Sequence, residues 1–146
     1  MKEFTACIIK TDVKYDNDGI TIRKDAFDKC IGKTVPVVWH EMLDNPENQI
    51  GVATLTKVND DIHAVIKLNN NNKATRFVVD LCFDGSIHSF NAVTNNLLLN
   101  ISSNEIISGD IKQISFVLRG CHGDPFISRY NDHYIIACYD EVKFNE

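Results

Sequence analysis

The chemically capable side chains of this sequence gather at a few places: His40-Glu41, His88-Ser89 with Asn91, Gln113 with Ser115, and Cys121-His122 with Asp124. A hydroxyl or thiol held beside an imidazole is the raw material of nucleophilic catalysis, provided that base and nucleophile lie within hydrogen-bond reach. Spacing alone completes none of these sets. His40 and Glu41 are adjacent, so on an extended segment they point to opposite faces. Ser89 shares a face with Asn91 but stands roughly 7 Å along the strand from it, and His88 points the other way. Cys121 and His122 are chain neighbours, which seldom aim at one point. Cys82 falls in a helically patterned stretch where its sulfur is expected in the core, and Ser115 reads as strand packing. His40 with Glu41, and His122 with Asp124, lack the multi-ligand spacing of a dedicated metal site. Neither a metal nor another cofactor is expected.

The five cysteines are Cys7, Cys30, Cys82, Cys121 and Cys138. Their number is odd and no pair has Cys-x-x-Cys spacing, so the expectation is reduced, buried thiols rather than a disulfide framework or zinc knuckle. The chain has 146 residues, 44% hydrophobic and 24% charged, with a formal net charge of −5. That is one domain's worth of sequence, expected to span residues 1–146. No Lys/Arg stripe is present, which argues against direct contact with nucleic acid. No apolar run approaches the ~20 residues of a membrane helix, and the apolar run near the N-terminus is too short for a signal peptide. A protein made in a cytoplasm, without a membrane partner, is expected.

The elements that would position these residues are mostly strands. Residues 4–13 read as a strand, and Asp16-Asn17-Asp18-Gly19 as a turn before a short β-like run, Ile20–Ile22. Residues 25–31 suggest a short helix ending at Gly32. Val35–Trp39 is a compact strand with Pro36 near its start, where a missing N–H is tolerated; Trp39 is expected in the core. Ile50–Val58 and Ile62–Leu68 look like a hairpin, the second arm alternating so that Ile62, Ala64, Ile66 and Leu68 share a buried face. Ala74, Phe77, Val78 and Leu81 recur at helical spacing within 73–83, and Gly85 stands where a helix stops. Residues 86–94 and 111–118 supply further strands, 97–99 reads as another strand or hairpin arm before the turn-prone Ser102-Ser103-Asn104, and 134–139 reads as a final strand or the start of a helix. Many short strands with a clear helix predict an α+β domain built on a small barrel or strongly curved sheet.

Four blocks, in order, resemble the prohead (procapsid maturation) serine proteases of tailed phages. Asp18–Ile22 with Asp25-Ala26-Phe27 is similar to that family's opening. Val35–Gly51 is similar to a Val-Pro-Leu-Val-Trp-Asn-His segment that closes in Pro-Glu-Asn-x-Leu-Gly. Gly85–Asn91 is similar to Gly-x-Ile-x-x-Leu-Ser. Gly109–Gly120, through Phe126-Ile127, is similar to Gly-x-Ile-x-Glu-Val-Ser-Leu-Val-Leu-x-Gly. Together the blocks cover residues 18–127. The resemblance implies a herpesvirus-protease-like fold, a small β-barrel with flanking helices. It also implies a serine nucleophile, a histidine base and an acidic third member.

Carried over position by position, the resemblance puts Glu41 where the family has its histidine, Asn91 at the nucleophile and Gln113 at the acid. An amide has no hydroxyl to ionise. A carboxylate of ordinary pKa ~4.3 is a poor base near neutrality, and a neutral Gln113 cannot stabilise an imidazolium. The three side chains are expected to form a polar cluster in a vestigial site. His40 and Ser89 are the fallback residues for a relocated active site. The implied role is a catalytically inactive capsid decoration (cement) protein of a tailed-phage head. It would bind the major capsid protein, and itself if homo-oligomeric, in particles assembled in the bacterial host cytoplasm. The alternatives are an active maturation protease with a relocated site and a scaffold- or peptide-binding assembly module.

Overall fold

Alternation of apolar and polar residues governs most of this chain and sets its architecture. The computed structural model describes residues 2–15, 19–39, 49–69, 75–76, 80, 88–118, 125–130, 132–138 and 142–145. Among the described residues ten strands are formed: β1 (Lys2–Ile9), β2 (Thr21–Ile22), β3 (Thr34–Trp39), β4 (Gln49–Val58), β5 (Asp61–Leu68), β6 (His88–Asn100), β7 (Glu105–Leu118), β8 (Phe126–Tyr130), β9 (His133–Ala137) and β10 (Val142–Asn145). They make one sheet in the order β10-β1-β5-β4-β3-β7-β6-β9-β8, with β2 alongside β7. The β3/β7 and β2/β7 pairings are parallel, whereas the neighbours of β1, the β4/β5 hairpin and the β6–β9 ladders are antiparallel.

The sheet curls into a half-barrel. Its ladders slip between Cys7 and Ile9, between Val37 and Val38, and between Val93 and Thr94. Such bulges bend a strand and increase its twist. The curl brings β1 opposite β6, where the Phe4 and Phe90 rings lie 6.2 Å apart. The enclosed core takes Ile8, Leu55, Ile66, Ile114 and Phe116 from the sheet, and Tyr15, Ile22 and Phe27 from the segment between β1 and β3. β5 offers the core alternate residues along its length: Ile62, Ala64, Ile66 and Leu68 are buried while His63 and Val65 are not.

The α+β class, a herpesvirus-protease-like barrel with flanking helices, is corrected by this architecture. The described residues are nearly all strand and hold no helix of 7 or more residues. The short helix expected over 25–31 is reduced to a 3-10 turn, Asp28–Cys30, after which Ile31 is already extended and Gly32 takes φ +83°. Phe27 and Cys30 supply only one turn of apolar spacing, too little to bury a longer helix. Of the helix expected over 73–83, Thr75, Arg76 and Asp80 are helical, and the rest lies outside the described residues.

Two glycines show why the strands pack so closely. Gly51 pairs with Val37 on one side and Leu68 on the other. A Cβ there would run into the Lys67 carbonyl oxygen and lie 2.9 Å from the Leu68 Cα. Gly109 is wedged in the same way against Leu97, with the Phe27 ring edge 2.8 Å from where a Cβ would stand.

Candidate functional site

The β6/β7 ladder builds the most unusual polar arrangement among the described residues. Phe90 and Ala92 of β6, and Ile114 and Phe116 of β7, face the core. Alternation therefore turns Asn91, Val93, Gln113 and Ser115 to the opposite face of the sheet. That face is buried as well: Asn91 is 2% exposed, Gln113 5% and Ser115 0%. Asn91 stands directly opposite Ser115, and Val93 opposite Gln113. Cross-strand partners of this kind have Cβ atoms about 5 Å apart and diagonal neighbours about 7 Å apart, close enough for amide side chains to meet. The Gln113 amide Nε2 donates to the Ser115 Oγ at 3.3 Å.

Apolar side chains frame these three. Val38 of β3 pairs with Ser115, and Ile135 of β9 pairs with Val93; both are buried. Burial without hydrogen bonds costs a polar group a few kcal/mol, so buried hydroxyls and amides find partners. Next along β6, the buried Thr94 follows that rule by donating its hydroxyl to the Tyr134 carbonyl oxygen at 2.9 Å.

Of the residues singled out from the sequence, Asn91 and Gln113 are thus brought onto one buried face. Ser115, read from the sequence as strand packing, joins them: it accepts from Gln113 and stands opposite Asn91 in the ladder. The signal was present: Gln113 and Ser115 are two residues apart on a strand, so they share a face. Ser89 lies in β6 opposite Val117, and His88 opposite Leu118; their side chains are not among those described. His40, Glu41, Cys82, Cys121, His122 and Asp124 lie outside the described residues. Trp39 packs against the core, stacked on Phe116 with ring centroids 5.7 Å apart.

The cluster itself holds two amides and a hydroxyl. A serine hydroxyl needs an adjacent base or a lowered pKa to attack a carbonyl, and a glutamine amide is neither base nor acid near neutrality. The arrangement can hold two strands in register.

A groove of about 610 Å³ lies elsewhere, bordered by Asp12, Lys14, Arg23, Lys24, Asp25 and Glu105 among others. It shares no residue with the β6/β7 cluster. Its charges are mixed and partly neutralised within the wall, where the Arg23 guanidinium pairs with Asp25 and holds that carboxyl below the usual carboxylate range. Among the described residues, no group of three His, Cys, Asp or Glu side chains could hold a metal ion, and no helix is long and apolar enough to cross a membrane.

The end of the β6–β7 hairpin carries exposed aliphatic side chains that strand and turn patterns do not single out. Beyond the stretch that pairs with β9, the two strands continue to a turn at residues 101–104. There Leu98 and Leu99 are exposed, and Ile101 is 87% exposed. From Asn95 to Asn104 the chain carries no ionisable side chain.

Comparison with family models, curated proteins and solved structures finds no match.

Proposed function

We propose that this chain is a non-enzymatic structural protein of a tailed-phage head, a decoration protein that binds the major capsid protein. The observation that carries the reading is Asn91. It is a buried amide, beside Ser115 and Gln113, at the position where the resembled proteases keep their nucleophilic serine. The resemblance itself rests on four ordered sequence blocks rather than on fold. The exchange of hydroxyl for amide at residue 91, and of carboxylate for amide at residue 113, removes both the attacking group and the charge that would orient a base.

A binding role also needs a contact surface, and the uncharged hairpin tip with Leu98, Leu99 and Ile101 supplies one. Isolated exposed aliphatics are common on protein surfaces, but three within four residues beside a turn suit an apolar contact with a partner. The partner would be the major capsid protein, in contact with the chain on the particle and with further copies of it if they adjoin there.

Co-expression with the cognate capsid and scaffold proteins tests the reading. A decoration protein remains full length and stoichiometric in purified particles and leaves capsid and scaffold uncut. Cleavage of either protein that stops on His40→Ala or Ser89→Ala substitution would instead establish a relocated protease. Retention of scaffold segments without capsid binding would establish a peptide-binding assembly module.

A further inference from the structure

Cys7 and Cys138 are 131 residues apart in sequence and meet in the fold. Cys7 lies in β1, opposite His63 of β5. Cys138 directly follows β9 and donates its thiol hydrogen to the Cys7 carbonyl oxygen at 3.0 Å. Both are thiols, and each is only 5% exposed. The Cys7 thiol is directed at the Ile9 carbonyl at 3.7 Å, across the bulge where the β1/β5 register slips. The Tyr15 phenol stands near both sulfurs: burial pushes its ionisation far above the usual range, and the fields of Cys138 and Cys7 add to that rise. Cys30, by contrast, packs against the Gly109 carbonyl at 3.9 Å.

We propose that Cys7 and Cys138 form a disulfide when the protein meets an oxidising environment. Along the sheet β1 and β9 are far apart in the strand order, yet they approach each other across the curl. A bond here would link β1 directly to the end of β9, reinforcing the β1/β10 ladder that begins four residues after Cys138. Disulfide-linked residues keep their Cα atoms within roughly 7 Å, and a Cys138 sulfur 3.0 Å from the Cys7 carbonyl oxygen brings the two residues side by side. The loop closed is nearly the whole chain, and long loops restrict the unfolded ensemble most.

The oxidant is a low-molecular-weight disulfide. One protein thiolate attacks it, breaking its S–S bond and releasing one small thiolate. The second protein thiolate then attacks the mixed disulfide and releases the other. The two protons lost by Cys7 and Cys138 end on the two small thiols, whose sulfurs take up the two electrons. The bond does not depend on whether the chain binds a capsid.

The test equilibrates the reduced full-length chain with glutathione disulfide, then combines non-reducing peptide mapping with thermal melting. The expected product is a monomer lighter by two hydrogen atoms, with one Cys7–Cys138 cross-linked peptide and a Tm raised by roughly 5 °C or more. Cys138→Ser should abolish both changes. Links through Cys30, Cys82 or Cys121, only mixed disulfides with glutathione, or a Cys7–Cys138 bond that lowers the Tm would each overturn the proposal. The wild-type map decides the matter even where a cysteine variant folds poorly.

Discussion

At the residue scale, the buried polar face turns on what Ser115 does for Gln113. The 3.3 Å bond between them satisfies an amide that β7 holds away from water. Ser115→Ala should therefore destabilise the fold by about 1–3 kcal/mol, the cost of leaving a buried donor unpaired, read as a lower urea midpoint with unchanged slope. Asn91→Ser should restore a hydroxyl at the family's nucleophile position and still yield no peptide cleavage, because Gln113 remains neutral. Asp110 makes a different kind of contribution. It accepts a hydrogen bond from the Asn96 amide at 2.8 Å and pairs with Lys29 at 3.0 Å, and these contacts hold its carboxyl below the usual carboxylate range. A carboxyl depressed in the folded state contributes stability above its unfolded value of about 3.9, and that contribution is lost as pH falls through the folded value. Melting temperatures of wild type and Asp110→Asn should accordingly differ near neutrality and converge in acid. A difference that persists at low pH would mean the charge is not the cause.

At the element scale, the sequence was most legible where one face is buried and the other wet. The β4–β5 hairpin stands where alternation placed it, and β3 closes on Trp39 as read. Strand identity was harder where both faces are covered or where bulges interrupt the period. Residues 86–94 and 97–99 read as separate strands. Asn96 takes φ +55°, but the pairing with β7 resumes beyond a register shift, and one strand of 13 residues results. Strands β8 and β10 were missed: each is short and lies at an end of the strand order, so its sequence is under little pressure to alternate. Of the candidate site, Asn91 and Gln113 were singled out through the resemblance, the Gln113–Ser115 contact was open to i, i+2 spacing on one strand, and the placing of Asn91 opposite Ser115 required the β6/β7 register. Two elements carry predictions. Gly51→Ala should cost about 3 kcal/mol or prevent folding, since its Cβ would meet strand backbone that cannot yield. Ile101→Asp should leave the melting temperature nearly unchanged, as an exposed substitution does, while weakening capsid binding at least tenfold.

At the scale of the whole molecule, the half-barrel has an interior filled with side chains and a buried polar patch on its other face. The amides of that patch suit cohesion between strands, and the hairpin end offers exposed aliphatic side chains with no ionisable group from Asn95 to Asn104. The proposed function is that the chain binds a capsid and does not cut one. The most direct measurement mixes the purified full-length chain with shells of the cognate major capsid protein, then follows co-sedimentation and the integrity of every chain by gel and intact mass. Saturable, stoichiometric binding with all chains uncut is the predicted result. Proteolysis of the shell protein, or no association with shells in any maturation state, would contradict it.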